Sequence, residues 1–178
     1  MRRVAGLLRA VNVGGRKLLM ADLRLMTREA GFDAPETLLA SGNVVFGTTL
    51  SLDLTSERLA AALLGGLGIT TDVMVRDLAQ LKQVMAGNPF PDQARDAPSR
   101  LMAMFLKGDP TGSVEALAPA CVAGEEVRIG PGCLYIWYPN GVGVSKLTSG
   151  VIERRLGGRG TARNWNSVEK LAALVNLG

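Results

Sequence analysis

Three short segments of this chain carry residue types that can hold an anion. In the first, Arg9, Asn12, Gly14, Gly15 and Lys17 stand between a short apolar run and an amphipathic stretch that opens near Leu19. Glycines let backbone N–H groups come close to a ligand, and the N-terminus of a following helix favours negative charge. The segment lacks the GxxxxGK[ST] spacing of a P-loop. The same residues also suit a glycine-rich turn with solvated charges, and both readings stand. The second segment holds Asn140, Gly141, Gly143, Ser145 and Lys146 between an expected strand and an expected helix. Two glycines, a Ser placed as helix cap and a Lys at the helix start again suit an anion. It has no GxGxxG fingerprint and follows a hairpin strand, so a dinucleotide site is not expected. Its alternative is a helix-capping loop after a Pro139-Asn140-Gly141 turn. In the third, Arg163 can serve a phosphate or lie over Trp165, Asn164 can cap the last helix, and Trp165 suits a core anchor.

Other chemistries are closed or weakly supported. With no His among the 178 residues, there is no His base, no His metal ligand and no Ser-His or Cys-His pair. Cys121 and Cys133 lack metal-ligand or redox spacing and are expected as buried free thiols. Glu125 and Glu126 are adjacent and would face opposite sides of a strand. Lys17, Lys146 and Ser145 are the groups left for catalysis without His. No cofactor and no metal are expected.

The net charge of +4 is carried mostly by Arg. It permits a phosphate-bearing partner without requiring one. Nucleic acid is the second reading, because RNA-recognition motifs stack bases on aromatic residues of their central strands. Strand positions here offer Phe46 in the first half, and Tyr135 with Trp137 in the second. These also suit a core-facing stripe, which is the favoured reading. No apolar run is long enough to span a bilayer, so a cytoplasmic protein is expected.

The elements that must position these segments follow from periodicity. Val4 to Leu8 reads as a buried strand. Leu19, Leu23, Met26 and Ala30 read as one helix face, and Gly31 as its stop. Thr37 to Ala40 and Val44 to Phe46 read as strands joined through Ser41-Gly42-Asn43. A helix marked by Leu59, Ala62 and Leu63, capped by Asp53 or Thr55, and a strand over Thr71 to Arg76 complete the order β-α-β-β-α-β. Asp77 caps a connecting helix. Residues 89–98, rich in Pro, Asp and Ala, read as a linker.

The second half repeats the order less cleanly. Leu101 to Leu106 is a strand. A short helix follows Ser113, which Pro119 is expected to end or kink. Val127 to Ile129 and Cys133 to Tyr138 form a hairpin across Gly130-Pro131-Gly132. A helix carries Leu147, Val151, Ile152 and Leu156, and an amphipathic helix closes the chain where a fourth strand is expected, so this half reads β-α-β-β-α; a short strand near Arg159 to Ala162 would complete the order.

The fold class is therefore α+β, with two tandem ferredoxin-like modules of mainly antiparallel strands, the second less regular and ending in a helix. The first module with its connecting helix covers 1–88 and the second covers 99–178. In such a module the first two strands run the same way, so the loop after the first and the turn after the second share one end of the sheet. That brings Ser41, Gly42 and Asn43 beside Asn12, Gly14 and Gly15. Asn43 and Ser41 would equally satisfy the turn's own backbone.

Several phrases occur in order along the chain: Leu8-Arg9-Ala10-Val11-Asn12-Val13-Gly14-Gly15, Ala40-Ser41-Gly42-Asn43-Val44-Val45-Phe46, Asn88-Pro89-Phe90, Tyr138-Pro139-Asn140-Gly141-Val142-Gly143-Val144-Ser145-Lys146-Leu147 and Thr161-Ala162-Arg163-Asn164-Trp165-Asn166. Together they resemble the family called domain of unknown function 1697. The resemblance implies a bacterial two-module α+β protein and no assigned activity. This chain has Ala10 where the resemblance implies Gly. The expected function is binding of a small phosphate- or carboxylate-bearing ligand at a Gly/Asn-rich edge. The alternatives are nucleic-acid binding and an enzyme using Lys or Ser.

Overall fold

The computed structural model describes residues 1–11 and 17–177. The first sheet contains β1 (Arg2–Leu8), β2 (Asp33–Thr37), β3 (Asn43–Thr48) and β4 (Val73–Asp77), in the order β2-β3-β1-β4 with every neighbouring pair antiparallel. Two helices pack on it, α1 (Met20–Glu29) and α2 (Leu52–Leu67). On α1 the buried residues Leu23, Met26 and Thr27 fall at i, i+3 and i+4. On α2, Thr55, Leu59 and Leu63 recur every four residues. Each set makes one stripe down its helix. The stripes meet Val4, Leu8, Val44, Phe46, Val73 and Val75 of the strands, and Phe32 lies 4.6 Å from Phe46 between ring centroids.

Two local expectations move. The second strand is Asp33–Thr37, not Thr37 to Ala40. Leu38-Leu39-Ala40 is apolar, but Leu39 takes φ +58° and is 54% exposed, so it belongs to the turn. Pro35 is accommodated within the strand because β2 is an edge, where a missing N–H leaves no ladder bond unmade. The cap of α2 is Ser51, whose hydroxyl accepts from the Leu54 amide at 3.3 Å, rather than Asp53 or Thr55.

After β4, Asp77 accepts from the Gln80 amide at 2.9 Å and opens α3 (Leu78–Ala86). The stretch read as a linker contains α4 (Pro91–Asp96), with Pro91 at its first turn. The second sheet contains β5 (Leu101–Leu106), β6 (Glu126–Gly130), β7 (Cys133–Trp137) and β8 (Gly160–Asn164), ordered β6-β7-β5-β8 and again antiparallel throughout. Its first crossover is a 3₁₀ helix, Val114–Ala120, which contains Pro119. Its second is α5 (Ser149–Leu156). The chain closes with α6 (Trp165–Asn176). The β6–β7 turn sets Pro131 before Gly132 at φ +65°, the arrangement a tight turn with a left-handed second residue requires.

The fold is thus α+β, with two four-stranded antiparallel sheets of β-α-β-β-α-β type and a C-terminal helix. The chain divides into two compact units, Met1–Leu81 with Leu171–Gly178, and Lys82–Lys170. The second has its own core of Met104, Leu106, Leu134, Ile136, Tyr138, Leu147, Ile152 and Leu156.

Candidate functional site

The three polar segments fare differently once their partners are known. In the first unit, β1 ends against the turn that precedes β3. The Leu8 amide donates to the Gly42 carbonyl at 2.9 Å, and the Arg9 amide donates to the Asp72 carbonyl at 2.9 Å. Thr71 Oγ1 donates to the Arg9 carbonyl at 2.7 Å. Arg9 is therefore held by its main chain from both sides. Ala10 follows in the left-handed region at φ +53°. Gly42, at φ +75°, lies so close that a Cβ there would overlap Val11 Cγ2 and sit 3.1 Å from Leu8 Cβ. Asn12, Gly14 and Gly15 lie outside the described residues. The description resumes at Lys17, which is exposed, and Leu18, which is buried.

Asn43 is not a turn residue. It is the first residue of β3, fully buried, and its Nδ2 donates to the Leu38 carbonyl at 2.9 Å and to Ser41 Oγ at 2.8 Å. The Leu38 amide returns a bond to the Asn43 carbonyl at 3.1 Å. Asn43 thus ties the turn to itself, and Ser41 and Gly42 are the parts of that turn that meet the end of β1. Asp72 brings one carboxylate to the same end of the sheet as Arg9.

In the second unit, the segment offered to an external anion holds an internal one. Ser145 Oγ donates to Glu125 Oε1, the Ala123 amide donates to Glu125 Oε2 at 2.8 Å, and the Leu147 amide donates to Ser145 Oγ at 3.0 Å. Asn140 Nδ2 donates to the Ala123 carbonyl at 3.0 Å and closes the same pair of loops. Glu125 is 7% exposed, covered by the loops although it lies just beneath the surface. Burial works to raise its pKa. The hydrogen bonds from Ser145 and Ala123 outweigh it, and the carboxyl titrates below its ordinary range. Beside it, burial and the Glu125 charge both push the Cys121 thiol up. The buried Tyr138 hydroxyl, which donates to the Leu147 carbonyl at 2.9 Å, is pushed up by burial first and by Glu125 second.

Ser145 is not the cap of the following helix. That role belongs to Thr148, whose Oγ1 accepts from the Val151 amide at 3.3 Å, because α5 starts at Ser149. Lys146 accordingly precedes the helix, and Gly141 and Gly143 flank and form part of a short 3₁₀ turn, Val142–Val144.

The third segment is built into the interior. Arg163 lies on β8, 6% exposed, and its Nη1 donates to Thr161 Oγ1 at 2.6 Å and to the Ala162 carbonyl at 2.8 Å. Burial lowers its pKa to about 10, the direction expected when a charge leaves water. Asn164 caps α6, its Oδ1 accepting from the Ser167 amide at 3.0 Å and the Ser167 hydroxyl at 2.8 Å. Trp165 is buried, 6.5 Å from Tyr135 between ring centroids. Tyr135 is 1% exposed and donates to the Val84 carbonyl at 2.7 Å, so its ring has no face open to a base. Cys121 and Cys133 are free thiols.

Sequence reasoning missed Glu125. Pairing it with Glu126 as strand neighbours hid that β6 begins at Glu126 and that Glu125 closes the preceding loop. Gly124, at φ +84°, is the signal that the chain turns there before the strand begins. Among the described residues, no group of three or more His, Cys, Asp or Glu could hold a metal ion, and no helix is long and apolar enough to cross a membrane.

A family model described as a protein of unknown function, DUF1697, matches residues 1–135. The chain belongs to the DUF1697 family. Among solved structures, the conserved bacterial protein SP0830 from Streptococcus pneumoniae is similar over 99% of both chains, with a TM-score of 0.72 and 20% identity. At that identity the likeness is one of fold. No curated protein matches this DUF1697 chain.

Proposed function

We infer that this DUF1697 protein binds a small phosphate- or carboxylate-bearing ligand at the end of its first sheet, where the segment after β1 meets the β2–β3 turn. The supporting observation is the contact of two segments far apart in sequence: Leu8 bonded to Gly42, and Val11 against the Gly42 backbone. Arg9 and Lys17 bracket the segment, and Ser41 adds an exposed hydroxyl. Arg9 and Lys17 are the described cations on either side of that segment in sequence, and Arg9 is bonded through its main chain to Asp72. Charge-assisted bonds from such groups favour anions.

The Asn140–Lys146 loop is less suited to an external anion, since Ser145 is engaged by Glu125. That engagement also argues against Ser145 as a nucleophile. Nucleic acid is less favoured because Tyr135 is buried.

The test is an amide-resolved NMR titration of the full chain with inorganic phosphate, and separately with acetate, at constant ionic strength. Saturable shifts confined to Arg9, Lys17 and residues 41–43 are expected, weakened about tenfold by Arg9→Ala or Lys17→Ala. Shifts that never saturate, or that map to the second sheet, would refute the reading.

A further inference from the structure

β6 is the outer strand of the second sheet. Its outward groups can be identified from the ladder. The Leu106 amide donates to the Gly132 carbonyl, so Gly132, Leu134 and Ile136 direct their main chain toward β5. By alternation, Cys133, Tyr135 and Trp137 direct theirs toward β6, where they face Gly130, Arg128 and Glu126. Val127 and Ile129 are left with N–H and C=O groups pointing away from the sheet. Consistent with this, Arg128 Nη1 reaches round the strand to donate to the Val127 carbonyl at 3.0 Å. Ile129 is 60% exposed, and the Glu126 and Arg128 side chains are about half exposed.

An outer strand whose N–H and C=O groups point outward is a template for another strand, provided the Arg128 guanidinium on the Val127 carbonyl gives way to the incoming N–H. We propose that β6 is the contact strand of a two-fold homodimer, in which two copies pair antiparallel about Val127 and join their second sheets edge to edge. The occupant follows from charge. With Val127 opposite its own copy, Glu126 of each chain faces Arg128 of the other, twice by symmetry. Centring on Arg128 sets arginine against arginine, and centring on Glu126 sets glutamate against glutamate. Centring on Ile129 brings Pro131, which has no N–H to donate, opposite Val127. One register of the four is free of conflict. In each chain Glu126 and Arg128 already bridge each other at 3.1 Å, but an exposed pair of this kind contributes little, so exchanging the two intrachain pairs for two interchain ones costs little.

The experiment is sedimentation analysis of the full chain from micromolar to near-millimolar concentration. A reversible monomer–dimer equilibrium is expected. Glu126→Arg alone and Arg128→Glu alone should each weaken it about tenfold or more, because each turns two attractive pairs into two repulsive ones. Mixing these two variants should restore dimer as a heterodimer, and so should combining both substitutions in one chain. Val127→Pro, which removes the outward N–H and leaves the charges in place, should also dissociate it, with circular dichroism confirming the fold. A chain that stays monomeric throughout overturns the proposal. So does a dimer that both single substitutions leave intact, or one that the mixture fails to restore, since either would lie on another surface.

Discussion

Ala10 sits at φ +53°, two residues past the end of β1 and beside the Gly42 turn. A Cβ in the left-handed region crowds the following carbonyl and costs roughly 1–2 kcal/mol. Replacing Ala10 by Gly removes that cost. It also frees the unfolded chain, which costs roughly 0.5–1 kcal/mol in the opposite sense. The balance favours the folded state by about 0.5–1 kcal/mol, which in a chain of this size raises the melting temperature by about 1–4 °C. The sign is the informative part, because Ala to Gly is destabilising almost everywhere else. Ala61 provides the control. It is exposed in the interior of α2, within the same compact unit, and Ala61→Gly should lower stability by about 1 kcal/mol. Scanning calorimetry of the two variants beside the parent reads both shifts. Opposite signs are expected. If Ala10→Gly lowers the melting temperature as Ala61→Gly does, the left-handed conformation at residue 10 is wrong, and so is the account of how β1 leaves the sheet.

The remaining predictions concern the two loop contacts. Glu125→Gln keeps the shape of the Ser145 contact and removes its charge, so it should destabilise the chain by about 1–2 kcal/mol at neutral pH. Because the folded carboxyl titrates below its unfolded value, this contribution is complete above the ordinary glutamate pKa and disappears as pH falls through the lowered one. Urea midpoints of parent and variant should converge in acid, and a difference that persists there would show that the charge is not what matters. Gly42→Ala adds a Cβ both at φ +75° and into Val11, and should cost roughly 2–4 kcal/mol. Adding Val11→Ala should recover the larger steric part and leave roughly 1–2 kcal/mol from the backbone beside the Leu8 contact, so a double variant no better than Gly42→Ala would refute the Val11 contact.

Some of this molecule can be read directly from residue order. The buried runs of β1 and β3, the stripe of Leu23 and Met26, and the stripe of Val168, Leu171 and Val175 follow from periodicity. So does the placement of the turn before β3, with Ser41 and Gly42, at the end of β1, since the β-α-β-β-α-β order makes the first two strands run the same way. Short elements were harder. β8 is five residues behind Gly157-Gly158, and two of them are Thr161 and Arg163. It is a strand because β5 has an edge for it to pair with, from Met102↔Asn164 to Leu106↔Gly160. The apolar Leu38-Leu39-Ala40 run points to a strand, and only the pairing of β2 with β3 shows that the chain has already turned there.

By itself, the sequence determined the element order of the first module, the two-module architecture and the absence of imidazole chemistry, because periodicity and composition are local properties of a chain. The tertiary structure decided which polar group meets which. Ser145 could cap a helix, cradle a ligand or hold a carboxylate, and all three uses have the same local spelling. Glu125, 20 residues earlier in the chain, is the partner that folding brings to it. A hydroxyl takes the partner that folding brings within reach, and that distance is not written in its neighbours.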